Sequence, residues 1–200
     1  MSELKFEPMG FSSRLIRRIQ SKGTRGDILK CLAELIKNSD DAYDRLELQG
    51  HKTSGLIEMG FWRLTKYKRP SIGGFFVRDY GSGMDMARVE QAYGKEGYGE
   101  DTSDDTRNGA IGVGGKDAFF GMEDCHIITI RDSYPIVISI RTGHRGLEKA
   151  IRTGKEAQIL ILEINRMIEL NCKPIMFSDT GTFAMFRIPD DHAGKRSDTI

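Results

Sequence analysis

Excess charge of either sign is missing from this chain: Lys+Arg 30 against Asp+Glu 29 leaves a net charge of +1. No global field therefore draws it to nucleic acid or to an anionic membrane. Paired cysteines are missing too. Cys31, Cys125 and Cys172 are odd in number and scattered, with neither zinc-ligand spacing nor a disulfide framework, which suits a reducing, cytoplasmic setting. His51, His126, His144 and His192 form no ligand-spaced pair. Cys125 and His126 are adjacent, but neighbours on a strand point to opposite faces. No apolar run approaches the roughly 18 residues that cross a bilayer. The opening MSELKFEPMG has neither a basic n-region nor an apolar h-region, so no membrane partner is expected. No internal repeat is visible.

What is present is enough apolar residue, 38% of 200, for an ordinary core in one globular domain. Residues 1–26 read as an N-terminal extension with a short helix from Ser12 to Ser21, residues 27–189 as the domain, and residues 190–200 as a polar tail. A second helix opens at Asp27. On it Ile28, Leu32, Leu35 and Ile36 share one arc, and Glu34, Asn38 and Asp41 cluster in another nearly opposite. Leu56 to Tyr67 and Phe75 to Asp79 read as strands, and Asp85 to Tyr93 as a helix. From Gly94 to Gly115 the composition turns to Gly, Asp and Thr, the mark of a long functional loop. Lys116 to Phe120 should start a helix. HIITIRD and YPIVISIR predict a hairpin turning near Asp132 and Ser133. Lys155 to Leu170 is apolar on all sides and fits helix or strand. TGTFAMFRIP, Thr180 to Pro189, predicts a closing strand.

Three constellations carry chemistry. Glu34 and Asn38 stand one helical turn apart, so a carboxylate that takes a proton from water and an amide oxygen that holds Mg²⁺ can reach one point; a plain solvated face is the alternative. Asp79 precedes Gly81 and Gly83. A carboxylate at a strand end can accept from an exocyclic amine while a planar ring lies on bare glycine backbone; otherwise Asp79 bonds its own backbone in a tight turn. Gly109, Gly112, Gly114 and Gly115 lead into Lys116, an arrangement of free amides and a cation that suits phosphate, or else a merely flexible loop. Familiar phosphate loops are excluded: a Walker loop would need Gly at Ala110 and Ser or Thr at Asp117, and the dinucleotide fingerprint fails at Asp117 and Thr102. No Gly-x-Ser-x-Gly elbow or paired-histidine motif occurs.

Together these stretches resemble the GHKL ATPases, which share the Bergerat fold. ELIKNSDDA is similar to their N-box, DYGSGM to the Asp-x-Gly-x-Gly box, GAIGVGGKDAFF to the glycine-rich box after the ATP lid, and TGT at Thr180 to Thr182 to the small Gly-Thr motif of the adenine pocket. The order is the family's, across residues from about 30 to 189, and the N-box looks most like the Hsp90, MutL and MORC branch. Tyr80 departs from the small polar residue common at its position, and the lid sequence matches no branch closely.

The resemblance implies an α/β (α+β) two-layer sandwich, a mixed sheet covered on one face by helices, with a mobile lid over about 94–115. It implies binding of ATP and Mg²⁺, with Glu34 as general base, Asn38 as Mg²⁺ ligand, and Asp41 and Ala42 in the pocket wall. Asp79 would read the adenine amine with help from Thr182, beside Gly81, Gly83 and Met84. Gly112, Val113, Gly114, Gly115 and Lys116 would attend the phosphates. The expected activity is slow ATP hydrolysis coupled to lid closure and self-association as a homodimer, weak in the absence of a cation from a further domain. A non-hydrolysing ATP sensor and the ATPase part of a larger DNA-associated machine are the alternatives.

Overall fold

The computed structural model describes residues 5–8, 28–64, 71–93, 122, 124–143, 146–168 and 173–188. In chain order these form β1 (Glu7–Pro8), α1 (Ile28–Leu48), β2 (Ile57–Leu64), β3 (Ser71–Asp79), α2 (Met86–Tyr93), β4 (Asp124–Arg131), β5 (Tyr134–Gly143), β6 (Gly146–Thr153), α3 (Gly154–Ile168) and β7 (Gly181–Arg187). The strands make one open sheet in the order β1-β6-β5-β4-β7-β3-β2. The expected first helix at 12–21, the helix from Lys116, the lid and the polar tail lie outside the described residues.

Local chemistry explains most elements. Asp85 caps α2, its carboxylate accepting the Arg88 N–H at 2.8 Å and its carbonyl the Val89 N–H at 2.9 Å. Asp132 and Ser133 turn the β4–β5 hairpin with φ of 52° and 59°. Two consecutive positive φ values match the twist of the flanking strands, which is why a two-residue turn takes that form. The segment that fitted helix or strand is helix α3: Ala157, Ile161, Ile164 and Ile168 recur every three or four residues and are buried. Ile159, Leu162 and Met167 stay exposed, which is what blurred the pattern. Strand β6 was not expected, because Glu148, Lys149 and Arg152 break up its apolar alternation.

Alternation along the strands builds a core on each face. Phe75, Val77, Ile127, Ile138, Ala184 and Phe186 point to one side, against Cys31 and Leu35 of α1 and Val89, Ala92 and Tyr93 of α2. Phe76, Ile128, Val137, Phe183 and Met185 point to the other, against the isoleucines of α3. Adjacent strands carry a stacked pair on each face, Phe75 with Phe186 at 5.0 Å and Phe76 with Phe183 at 5.4 Å. Cys125 belongs to the first core, while His126 holds Ser139 at 3.1 Å through Nδ1.

The α+β class agrees with expectation, and two details are corrected. Every pairing among the described strands is antiparallel, not mixed; β4, β5 and β6 in particular follow one another through turns too short for a parallel crossover. The helices do not all lie on one face. With α1 and α2 the sheet makes the expected two layers, but α3 leaves β6 directly at Gly154 (φ 54°) and covers part of the reverse face. No helix among the described residues is long and apolar enough to cross a membrane.

If α3 completes the second core, Ile161→Ala should cost about 2–5 kcal/mol in denaturant unfolding, as cavities at fully buried branched residues do. A loss near zero would mean that α3 is not packed there.

Candidate functional site

Asp79 ends β3 with its carboxyl buried, 7% exposed. Oδ1 accepts two backbone N–H groups, from Gly81 at 3.0 Å and from Thr182 at 3.1 Å. Ser39 Oγ of α1 lies 3.4 Å from Oδ2 and 3.1 Å from the Leu35 carbonyl. A hydroxyl has one proton, so the nearer carbonyl competes for it and Oδ2 keeps acceptor capacity. The Gly81 bond is the tight-turn contact anticipated for Asp79, but it occupies only one oxygen. β3 is an interior strand, between β7 and β2.

The sheet register assembles a polar row in an otherwise apolar face. Asp79 pairs with Thr182 across β3–β7, and Thr182 with Thr129 across β7–β4. Directly opposed residues share a face, so the three stand side by side on the α1 side. Thr129 is fully buried; its Oγ1 accepts the Met84 N–H at 2.7 Å and its hydroxyl donates to the Gly181 carbonyl at 3.4 Å.

Glycines let the chain approach this row. Gly83 has φ 65°, and a Cβ there would lie 2.2 Å from the Ile130 carbonyl oxygen; at Gly181, φ 128°, a Cβ would lie 2.2 Å from the Asp79 carbonyl oxygen. Neither position can carry a side chain without moving backbone. At Gly81 a Cβ would crowd the Asp79 carboxylate at 3.1 Å and the Ala42 methyl at 3.4 Å, which puts Ala42 at the wall of the same site.

Helix α1 is anchored here by Ser39 and, one turn on, by Tyr43. The Tyr43 hydroxyl donates to the Leu56 carbonyl and accepts the Tyr80 N–H at 2.8 Å. The buried stripe of α1 is Cys31, Leu35, Ser39 and Tyr43, so the expected arc is rotated. Ile36 is half-buried and outside the core cluster. Glu34, Asn38 and Asp41 flank the stripe instead of opposing it: they are half-buried, whereas Lys37, Asp40 and Asp44 on the outer arc are exposed. The solvated face of α1 is therefore a different one. Asp41 Oδ2 is buried with no hydrogen-bond partner among the described residues.

Of the residues expected in the site, Ala42, Asp79, Gly81 and Thr182 meet directly and Met84 joins them through Thr129. Glu34, Asn38 and Asp41 share one flank of α1. Gly112, Val113, Gly114, Gly115 and Lys116 lie outside the described residues. Tyr80 does not intrude: its hydroxyl donates to Glu58 at 2.7 Å, and the Arg78 guanidinium lies 4.5 Å from its ring centroid. Ser39, Tyr43 and Thr129 were missed by sequence reasoning, although polar Ser39 on an apolar helical stripe was a visible anomaly. No group of three or more His, Cys, Asp or Glu side chains is gathered for a metal among the described residues. Mg²⁺ held by one amide oxygen and substrate phosphates would need none.

Burial raises the Asp79 carboxyl from 3.8 to about 6, opposed by the Gly81 and Thr182 N–H groups, the Ser39 hydroxyl and the Arg45 charge. At neutral pH the group is mostly an anion, held in an apolar wall with an acceptor oxygen to offer. Family models match no part of the chain, and the curated proteins searched contain no match to it.

Because the folded carboxyl binds its proton more tightly than the unfolded one, the folded state is favoured by protonation, and that advantage is lost as pH rises from about 4 to about 6. Asp79→Asn carries no such titration. Its stability relative to the unsubstituted chain should grow across that window by up to about 3 kcal/mol, read by urea unfolding at a series of pH values; a constant difference would show that Asp79 does not titrate there.

Proposed function

We propose that this domain binds ATP with Mg²⁺ and hydrolyses it slowly, in the manner of the GHKL ATPases it resembles. The observation that carries the reading is the buried Asp79 carboxylate, whose Oδ1 is held by two backbone amides and whose Oδ2 remains an acceptor beside a glycine-lined wall. An anion held this way recognises a planar heterocycle with an exocyclic amine, and adenine is such a ring. A 6-oxo purine in its place would set a carbonyl against the carboxylate, so guanine is disfavoured.

The half-buried flank of α1 supports the phosphate side of the reading. Asn38 would hold Mg²⁺, which supplies positive charge to the triphosphate. One turn earlier, Glu34 would orient a water and take its proton as the oxygen bonds to the terminal phosphorus and the bond to the ADP oxygen breaks. Asp41 supplies a buried acceptor oxygen to the same wall, and Gly112 to Lys116 are the expected phosphate contacts.

Calorimetric titration with Mg·ATP should show saturable binding that weakens roughly 10–100-fold in Asp79→Asn, the worth of a hydrogen bond to a charged acceptor. Absence of binding by the unsubstituted chain would remove the proposal. Glu34→Ala should keep binding and lower turnover by roughly 10²–10⁴-fold; unchanged turnover would exclude Glu34 as the base, and no turnover in either would leave a nucleotide-binding module.

A further inference from the structure

The residue beside Asp79 points the other way. Arg78 and Asp79 are neighbours on β3, so their side chains leave opposite faces, and the Arg78 side chain is only 5% exposed. Its guanidinium donates to Asp179 Oδ2 at 2.6 Å and to the Lys173 carbonyl at 3.3 Å. On its other sides it stacks on the Tyr80 ring and stands 4.0 Å from Glu58 of β2. One side chain thus grips two points, six residues apart, in the segment leading to β7.

That segment is closed on itself and tied down elsewhere. Asp179 Oδ2 also accepts the Met176 N–H at 2.7 Å, and the Asp179 N–H donates to the Met176 carbonyl at 3.0 Å. Asn165 of α3 exchanges two hydrogen bonds with the Ile175 backbone, at 2.9 and 2.8 Å. Three residues after Asp179 the chain is at Thr182, whose N–H meets Asp79 at 3.1 Å. Gly181 between them has no slack, since even a methyl there would strike the Asp79 backbone. With Arg78 buried and Asp179 half-buried, apolar residues of like volume could often serve stability as well, whereas the directional bonds of the guanidinium restrict where the segment can sit.

We propose that Arg78 and Asp179 are positioning residues for the base site: acting from the reverse face of β3, their ion pair sets the register in which the 173–182 segment delivers Gly181 and Thr182 to Asp79. The role in base recognition rests on the nucleotide reading above; the register of Thr182 against Asp79 does not.

The test compares the full chain with Arg78→Met, Arg78→Lys and Asp179→Asn. The last keeps the side-chain shape while removing the charge and exchanging one acceptor oxygen for an NH2 group, so it remains usable if Arg78→Met does not fold. In the folded Arg78→Met and Asp179→Asn chains, amide hydrogen exchange at Thr182 should accelerate roughly tenfold or more as its acceptor is lost. The Asp79 carboxyl, followed by carbon-13 NMR, should titrate higher because its charged form loses a donor. Affinity for adenosine should fall by a similar factor, and Arg78→Lys should recover part of each effect. Folded variants with unchanged Thr182 exchange and unchanged Asp79 titration would overturn the clamp. An unsubstituted chain that binds neither adenosine nor Mg·ATP would instead overturn the nucleotide reading and the base-site role with it, while the exchange and titration data still decide the register.

Discussion

A carboxylate buried at the end of an interior strand is the constraint around which the described site is arranged. Removing Asp79 from water costs free energy and pushes its pKa up. What offsets that cost is a set of donors drawn from three places in the chain: the following turn at Gly81, the closing strand at Thr182, and helix α1 at Ser39. None of these can move without exposing or orphaning the charge. The turn leaves room for the carboxylate at Gly81, β7 lies directly beside β3, and α1 crosses that strand end with a small hydroxyl at 39.

Packing makes those positions available. Two cores share one sheet, and the rings of Phe75 with Phe186 and Phe76 with Phe183 lock β3 to β7 from both faces. The polar row Asp79, Thr182 and Thr129 interrupts the first core at the ends of three adjacent strands, where side-chain volume gives way to a wall of backbone and glycine. An acceptor oxygen with hydrogen-bonding capacity left, Asp79 Oδ2, stands among these backbone and glycine atoms. On the reverse face the same strand, β3, carries Arg78, paired with Asp179 of the segment that leads into β7.

Much of this was legible in residue order. The polar stripe on α1, the Asp-Gly-Gly pattern after β3 and the threonine in the closing strand each named a side chain that the fold brings to the site or to its flank. Other parts were hidden for physical reasons. Ser39 and Thr129 are polar residues in apolar stretches whose partners lie far along the chain. The rotation of the buried stripe on α1 follows from Ser39 and Tyr43 being drawn to the end of β3, which no local periodicity records. Strand β6 was obscured because its charged residues fall on both faces: Glu148 and Arg152 on one, and Lys149, buried, on the face of Leu147 and Ile151.

By itself the sequence determined what depends on near neighbours: the helical spacing of α1, the helix that starts at Asp85, the hairpin turn at Asp132 and Ser133, and the glycines that follow Asp79. These follow from steric and hydrogen-bonding rules that act over a few residues. Only the tertiary structure decided that the last strand inserts between β3 and β4, setting Thr182 beside Asp79 across 103 positions of sequence, and that α3 takes the reverse face. Strand order and helix side are settled by which apolar faces bury one another and which buried polar groups find partners, a property of the whole chain's packing and not of any segment read alone.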